Sequence, residues 1–212
     1  MKKALLAILI LNFQFSFLSN ALAQGRFDAS VFGGFDMCQI DGDASGNYNH
    51  LGLRAGAGTS FALGSDQESP FRMVVELAFA QKGAHMESAG FTRDVSLNYV
   101  QLPLMASYTI ANDRLRFAAG VAPAVQVGVK VTDNGAENSL QQDNYKRFDA
   151  LPVVAAARYM VSDHIGIEVR FETSMLSITK QNSSGTYRLF RDNKGAFNRI
   201  ITIGLAYQFL SL

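Results

Sequence analysis

From residue 27 onward the chain alternates apolar and polar side chains with a period of two, the spacing of a β-strand whose two faces meet different surroundings. Eight such runs can be read. The first places Phe27, Ala29, Val31, Phe35 and Met37 on one face and Asp28, Ser30 and Asp36 on the other, with Phe32 the exception. The second sets Leu51, Leu53, Ala55, Ala57 and Phe61 against Gly52, Arg54, Gly56, Gly58 and Ser60. The third sets Phe71, Met73, Val75, Leu77 and Phe79 against Arg72, Glu76 and Lys82. The fourth, about 95–110, turns Val100, Leu102, Leu104, Ala106 and Tyr108 away from Tyr99, Gln101, Pro103 and Ser107. In the fifth, about 115–130, Phe117, Ala119, Val121, Val125, Val127 and Val129 alternate with Arg116, Gly120, Gln126 and Lys130. The sixth, about 150–159, is nearly all apolar and its phase cannot be fixed. The seventh sets Ile165, Ile167, Val169 and Phe171 against Glu168, Arg170 and Glu172, and the eighth sets Ile201, Ile203, Leu205, Tyr207 and Phe209 against Thr202, Gly204, Ala206 and Gln208.

Each run is long enough for the roughly 9–11 tilted residues that cross a bilayer core. The links between them alternate in length: 64–70, 111–114 and 161–164 are short, whereas 38–49, 83–94, 131–148 and 179–196 are long. An outer-membrane barrel with tight periplasmic turns and longer surface loops has this layout. The predicted fold is therefore all-β, an eight-stranded antiparallel up-and-down transmembrane β-barrel of the outer-membrane type. A soluble barrel with its apolar face inward is the alternative. Alternation alone does not say which face points in.

The segment before the first run reads as a cleaved signal peptide spanning residues 1–23, which leaves 24–212 as one barrel domain. Lys2 and Lys3 precede the apolar run Ala4–Leu11, and Ala21-Leu22-Ala23 offers small residues at alternate positions. The whole chain has 212 residues, 48% of them hydrophobic and only 17% charged, with a net charge of +1. That composition argues against disorder and against a nucleic-acid partner. One cysteine excludes a disulfide framework and any cysteine-built metal cage. Sixteen Phe and seven Tyr, many at run ends, suit the aromatic girdles of a membrane barrel in a chain without Trp.

Three stretches carry a resemblance. Glu76 with Gln81-Lys82-Gly83, the segment Asn98–Leu104, and Arg199–Gly204 with Tyr207-Gln208-Phe209 together resemble the PorT-like family of outer-membrane β-barrel proteins. Members often carry an acid where this chain has Gln101, and Leu210-Ser211-Leu212 extends past the usual terminal Phe. The resemblance implies a bacterial outer-membrane location, a C-terminal strand read by the barrel-insertion machinery, and for some relatives a part in protein export.

Candidate chemistry is sparse. Arg54, Glu76, Gln101, Glu168, Arg170 and Glu172 fall on the polar face, where a lumen as narrow as an eight-stranded barrel's would force charges to pair. A structural plug is the expectation, and a proton or ion path the alternative. Lys180, Arg188, Arg191 and Lys194 in the last loop form a basic patch suited to acidic lipopolysaccharide or an envelope partner. Asp41-Gly42-Asp43-Ala44-Ser45-Gly46 opens like a calcium loop, but the twelfth position is Gly52 instead of Glu. His50, His85 and His164 are scattered. His85 near Ser88 is the only local candidate for a catalytic Ser/His pair, and both are read as loop residues. Cys38 reads as a space-filler. No cofactor, metal or enzymatic activity is expected. The expected role is structural or interactive at the cell surface, with outer-membrane lipid, lipopolysaccharide and an envelope or secretion protein as partners. A narrow pore for ions or small solutes is the alternative.

Overall fold

The computed structural model describes residues 27–42, 47–63, 69–110, 114–180 and 186–209. Eight antiparallel strands form its wall: β1 (Phe27–Asp41), β2 (His50–Ala62), β3 (Phe71–Ser88), β4 (Phe91–Gln101 and Leu104–Ile110), β5 (Leu115–Val121 and Ala124–Asp133), β6 (Phe148–Asp149 and Pro152–Met160), β7 (Ile165–Ser174) and β8 (Phe197–Gln208). Each strand pairs with its sequence neighbours, and β1 pairs with β8 from Ser30↔Gln208 to Asp41↔Phe197, so the sheet closes on itself without an edge. The closing seam is tight. A Cβ on Gly34 would lie 2.6 Å from the Ile203 carbonyl oxygen, so only glycine allows that approach. The predicted signal peptide lies outside the described residues.

Prolines interrupt β4, β5 and β6, because proline has no N–H to give the ladder. The ladder still runs through them by acceptance. Glu76 N–H donates to the Pro103 carbonyl, Leu102 N–H to Pro123 and Ala122 N–H to Pro152, each at 2.9 Å.

Along the lower part of every strand the apolar face points outward. Phe35, Leu53, Leu77, Val127, Ile203 and Leu205 are all more than half exposed, while Arg54, Glu76, Arg170 and Glu172 are at most 2% exposed. A soluble barrel needs the reverse. The apolar belt carries aromatic rings at the short-turn end, where Phe71 and Tyr108 stand 4.7 Å apart and Tyr207 packs on His164 and Phe209. The undecided sixth run takes its phase from β7. Arg158 pairs with Glu168 and faces inward, leaving Val153 and Tyr159 outside.

The far end differs from the sequence reading in two ways. The long link expected at 83–94 is a two-residue turn: β3 and β4 continue to Ser88 and Phe91, and Ala89-Gly90 takes φ of +49° and +82°. Positive φ at both central residues is the type I′ geometry that matches strand twist. Long and short links therefore do not alternate strictly. A second turn of the same kind, Asn134-Gly135, shortens the link expected at 131–148, and a one-turn helix, Ser139–Gln142, follows it under an Asn138 cap. The last link holds a small hairpin, Thr186–Arg188 with Phe190–Gly195.

The second difference is Lys130, which the alternation placed on the inner face. A bulge opposite Asn98/Tyr99 inserts Val127 and turns both Val127 and Gly128 outward. Above it the phase inverts, so Lys130 is exposed while Val129 and Val131 pack inward. There Ile40, Ala84, Val95, Leu97, Tyr99, Ala124, Val131, Ile178 and Ala196 form one apolar cluster that closes the barrel as a dome.

Candidate functional site

The lumen is filled by ion pairs in three layers. At the short-turn end, Asp28 of β1 meets Arg72 of β3 at 3.2 Å and Arg116 of β5 at 3.4 Å, and Ser60 donates to it at 3.3 Å. In the middle, Arg170 bridges Glu76 and Glu168 at 2.8 Å each, and Arg158 holds Glu168 at 2.7 Å. The Arg170 guanidinium also lies 5.6 Å from the ring of Phe32, the one apolar exception on the polar face of β1.

The upper layer joins Arg54 to Asp36 at 3.1 Å and to Glu172 at 2.9 Å, with Lys82 on the other Glu172 oxygen. Gln101 sits between them, accepting from Arg54 at 3.0 Å and donating to Glu172 at 2.7 Å. A neutral amide suits this spot. Glu172 already neutralises much of the local positive charge, and an acid in place of Gln101 would face it directly. Thr202 donates to Asp36 at 2.6 Å. A cavity of about 20 Å³ between the lower two layers, lined by Glu76, Arg116, Arg158 and Glu168, has room for a single water.

All six lumen residues singled out from the sequence are thus in contact with this network. Asp28, Asp36, Arg72, Lys82 and Arg116 belong to it as well. They sat on the polar faces of their runs but were not grouped with the rest. Arg158 was missed because its run had no readable phase, although its register partners Arg116 and Glu168 would have supplied it.

Of the basic residues of the last loop, Lys180, Arg188 and Lys194 are not gathered into one exposed patch. Arg188 turns to the barrel rim, where it pairs with Asp41, bonds to Thr173 and the Ser174 carbonyl, and covers the Phe197 ring at 4.7 Å. Lys180 is exposed and donates to the Asp143 carbonyl at 2.6 Å. Lys194 lies half-buried opposite Tyr187 in the small hairpin, and the Arg191 side chain lies outside the described residues. Asp41, first residue of the calcium-like loop, is taken by Arg188 and Arg199, and residues 43–46 lie outside the described residues. Among the described residues no group of three His, Cys, Asp or Glu could hold a metal.

His85 and Ser88, read as loop residues, are in β3. His85 pairs with Asp94 at 2.5 Å, and that carboxylate pulls its titration above the usual histidine value. Neighbouring Asn49 accepts from the His85 N–H and donates to its carbonyl, tying the first surface link to the β3–β4 hairpin. His164 is in the turn after β6, its Nδ1 3.1 Å from the Gln208 carbonyl. Cys38 is fully enclosed, its thiol directed at the carbonyls of Asp36 and Gln81.

The family model described as outer membrane protein beta-barrel domain matches residues 14–180, and the chain belongs to that family. The match does not single out the PorT-like group suggested by the short motifs. No curated protein matches the chain. Among solved structures it is similar to Ail, the attachment invasion locus protein of Yersinia pestis, with 14% identity over 88% of this chain and 99% of that one, at a TM-score of 0.49. Neisserial surface protein A is similar at 11% identity over 85% of this chain and 97% of that one, also at 0.49. A designed transmembrane β-barrel is similar at 13% identity over 86% and 95%, at 0.39.

Proposed function

We propose that this protein of the bacterial outer membrane is a non-conducting, non-enzymatic post whose ion-paired trunk holds the dome at the cell surface for contact with an envelope or secretion partner. The observation that carries the reading is the pairing of lumen charge across the barrel. Arg54 of β2 binds acids of β1 and β7, and Arg170 of β7 binds Glu76 of β3 besides Glu168 of its own strand, so among the described residues no charged side chain of those layers is left to pass an ion along. Assistance to export, as the PorT-like resemblance implies, is one form such a contact would take. Leu140 and Leu189, 83% and 62% exposed on the dome links, are natural points of engagement for a protein. Lys180 and Lys130 offer charge to lipopolysaccharide phosphates. Phe209, whose N–H donates to the Ala29 carbonyl at 2.8 Å, continues the last strand as the segment for the insertion machinery to read.

Two measurements test this. In planar bilayers the refolded barrel is expected to give no stable single-channel steps. Reproducible steps would favour the narrow-pore reading. A photo-crosslinker at Leu140 or Leu189 in intact cells is expected to capture an envelope protein, and adducts with lipid alone would count against a protein partner.

A further inference from the structure

The lumen charges balance as a whole but not layer by layer. Among the described residues six acids (Asp28, Asp36, Glu76, Asp149, Glu168, Glu172) share the interior with Arg54, Arg72, Lys82, Arg116, Arg158 and Arg170. The middle and upper layers each match two acids with two bases, while the lower layer sets two arginines against Asp28. The acid left over is Asp149. It stands about eleven residues above the Met160 end of β6, level with Ala124 of β5 and beneath the dome.

Asp149 is 2% exposed, and no ion pair reaches it among the described residues. Its Oδ2 accepts from Ser174 at 2.5 Å and from Asn198 Nδ2 at 3.4 Å, while Oδ1 has no hydrogen-bond partner. Three further buried polar atoms in this layer are also unsatisfied: Asn198 Oδ1, Tyr99 Oη and Gln126 Nε2. The Tyr99 hydroxyl lies beside the Asn198 and Gln126 amides. An enclosed carboxylate without a cation is costly, and so is each orphaned acceptor. A proton on Oδ1 removes the charge and turns that oxygen into a donor, in a layer that holds the unpartnered acceptors Asn198 Oδ1 and Tyr99 Oη.

We infer that Asp149 is held as the neutral acid, so that the layer between the ion-paired trunk and the dome is a single-proton site. A hard metal cation is the competing occupant. It needs six or more oxygens, whereas the layer offers three unpartnered ones beside the Gln126 Nε2 donor.

The charged and titratable groups around the site leave it unneutralised. Lys82 of β3 is committed to Glu172 of β7, and Arg188 of the small hairpin, which bonds the Ser174 carbonyl, is committed to Asp41. Tyr99 of β4 faces the site with Tyr145 beside it, and β5 and β8 present the amides Gln126 and Asn198. The unfolded chain gives up this proton near the ordinary aspartate value of about 3.9, and the folded barrel keeps it to higher pH. Unfolding between those limits releases a proton, so stability falls as pH rises through that window and then levels off. The proton thus fastens β4, β6, β7 and β8 together at the foot of the dome, and alkaline conditions loosen the clasp.

The test uses the full barrel refolded in detergent, unfolded by denaturant from pH 4 to 9, with Asp149→Asn as the isostere of the neutral acid. Wild type is expected to lose midpoint concentration as pH rises above 4. Asp149→Asn is expected to lack that slope and to be at least as stable as wild type above pH 7. Infrared spectra in D2O are expected to show a protonated-carboxyl carbonyl band in wild type that Asp149→Asn lacks. If that variant does not fold, Ser174→Ala, which removes a hydrogen bond to the same carboxyl, must shift the band. Absence of the band from wild type overturns the proposal, as does an unshifted band in Ser174→Ala. So does a wild-type midpoint that rises with sodium or calcium at fixed ionic strength while Asp149→Asn stays unmoved, which would mark a metal site.

Discussion

The trunk of this barrel and its dome are built from the same strands with opposite logic. Around Arg54, Glu76 and Arg170 the interior is ionic and the exterior apolar. A few residues higher, Leu97, Val131 and Ile178 fill the interior, and the outer surface carries the pair His85–Asp94. The strand geometry hardly changes between the two, so the medium outside decides. Where lipid touches the wall, apolar side chains gain most by facing out, and the lumen must satisfy its polar groups internally. Where water touches the wall, the ordinary hydrophobic effect returns and apolar groups go in. The bulge at Val127 is where β5 changes from one regime to the other, by adding one residue and inverting the phase.

Substitutions that respect or violate this division sharpen the comparison. The largest effect is expected in the trunk. Arg170→Ala leaves Glu76 and Glu168 short of a cation, and its unfolding free energy should drop by about 3–5 kcal/mol in denaturant titrations in detergent. In the dome the equivalent loss is a cavity. Leu97→Ala should cost about 2–5 kcal/mol by the same measurement. An arginine on the outer wall separates the two media: Ile203→Arg should cost about 2–4 kcal/mol in a lipid bilayer, while Glu87→Arg on the dome exterior should fall within about 0.5 kcal/mol of wild type. Equal penalties at both positions would break the comparison.

The smallest effect concerns the exposed dome pair. His85 gains a partner in the fold, so its proton is held to higher pH than in a free histidine, and the pair is present below that titration and lost above it. Asp94→Asn should move the His85 midpoint, followed by NMR, back down toward about 6.5.

The trunk was legible because lipid imposes a strict rule on every second residue. Seven of the eight runs carried enough polar residues on one side to read their phase, and Arg54, Glu76, Gln101, Glu168, Arg170 and Glu172 followed from parity alone. The sixth run failed because Val153, Val154 and three consecutive alanines offer no contrast, which hid Arg158. The dome was illegible for a different reason. Once water replaces lipid, alternation no longer distinguishes a strand from a polar link, so the extension of β3 and β4 to Ser88 and Phe91 read as a twelve-residue loop. The inward turn of Arg188 depends on Asp41, 147 residues away in sequence, and no local pattern announces such a pairing.

The division of the wall between lipid and water can be tested most directly with single tryptophans, since the chain has none of its own. In vesicles containing brominated lipid chains, Leu205→Trp should be strongly quenched by the lipid and insensitive to iodide, and Lys130→Trp should respond the other way. Leu205→Trp quenched by iodide and untouched by brominated lipid would contradict an apolar face turned to the membrane.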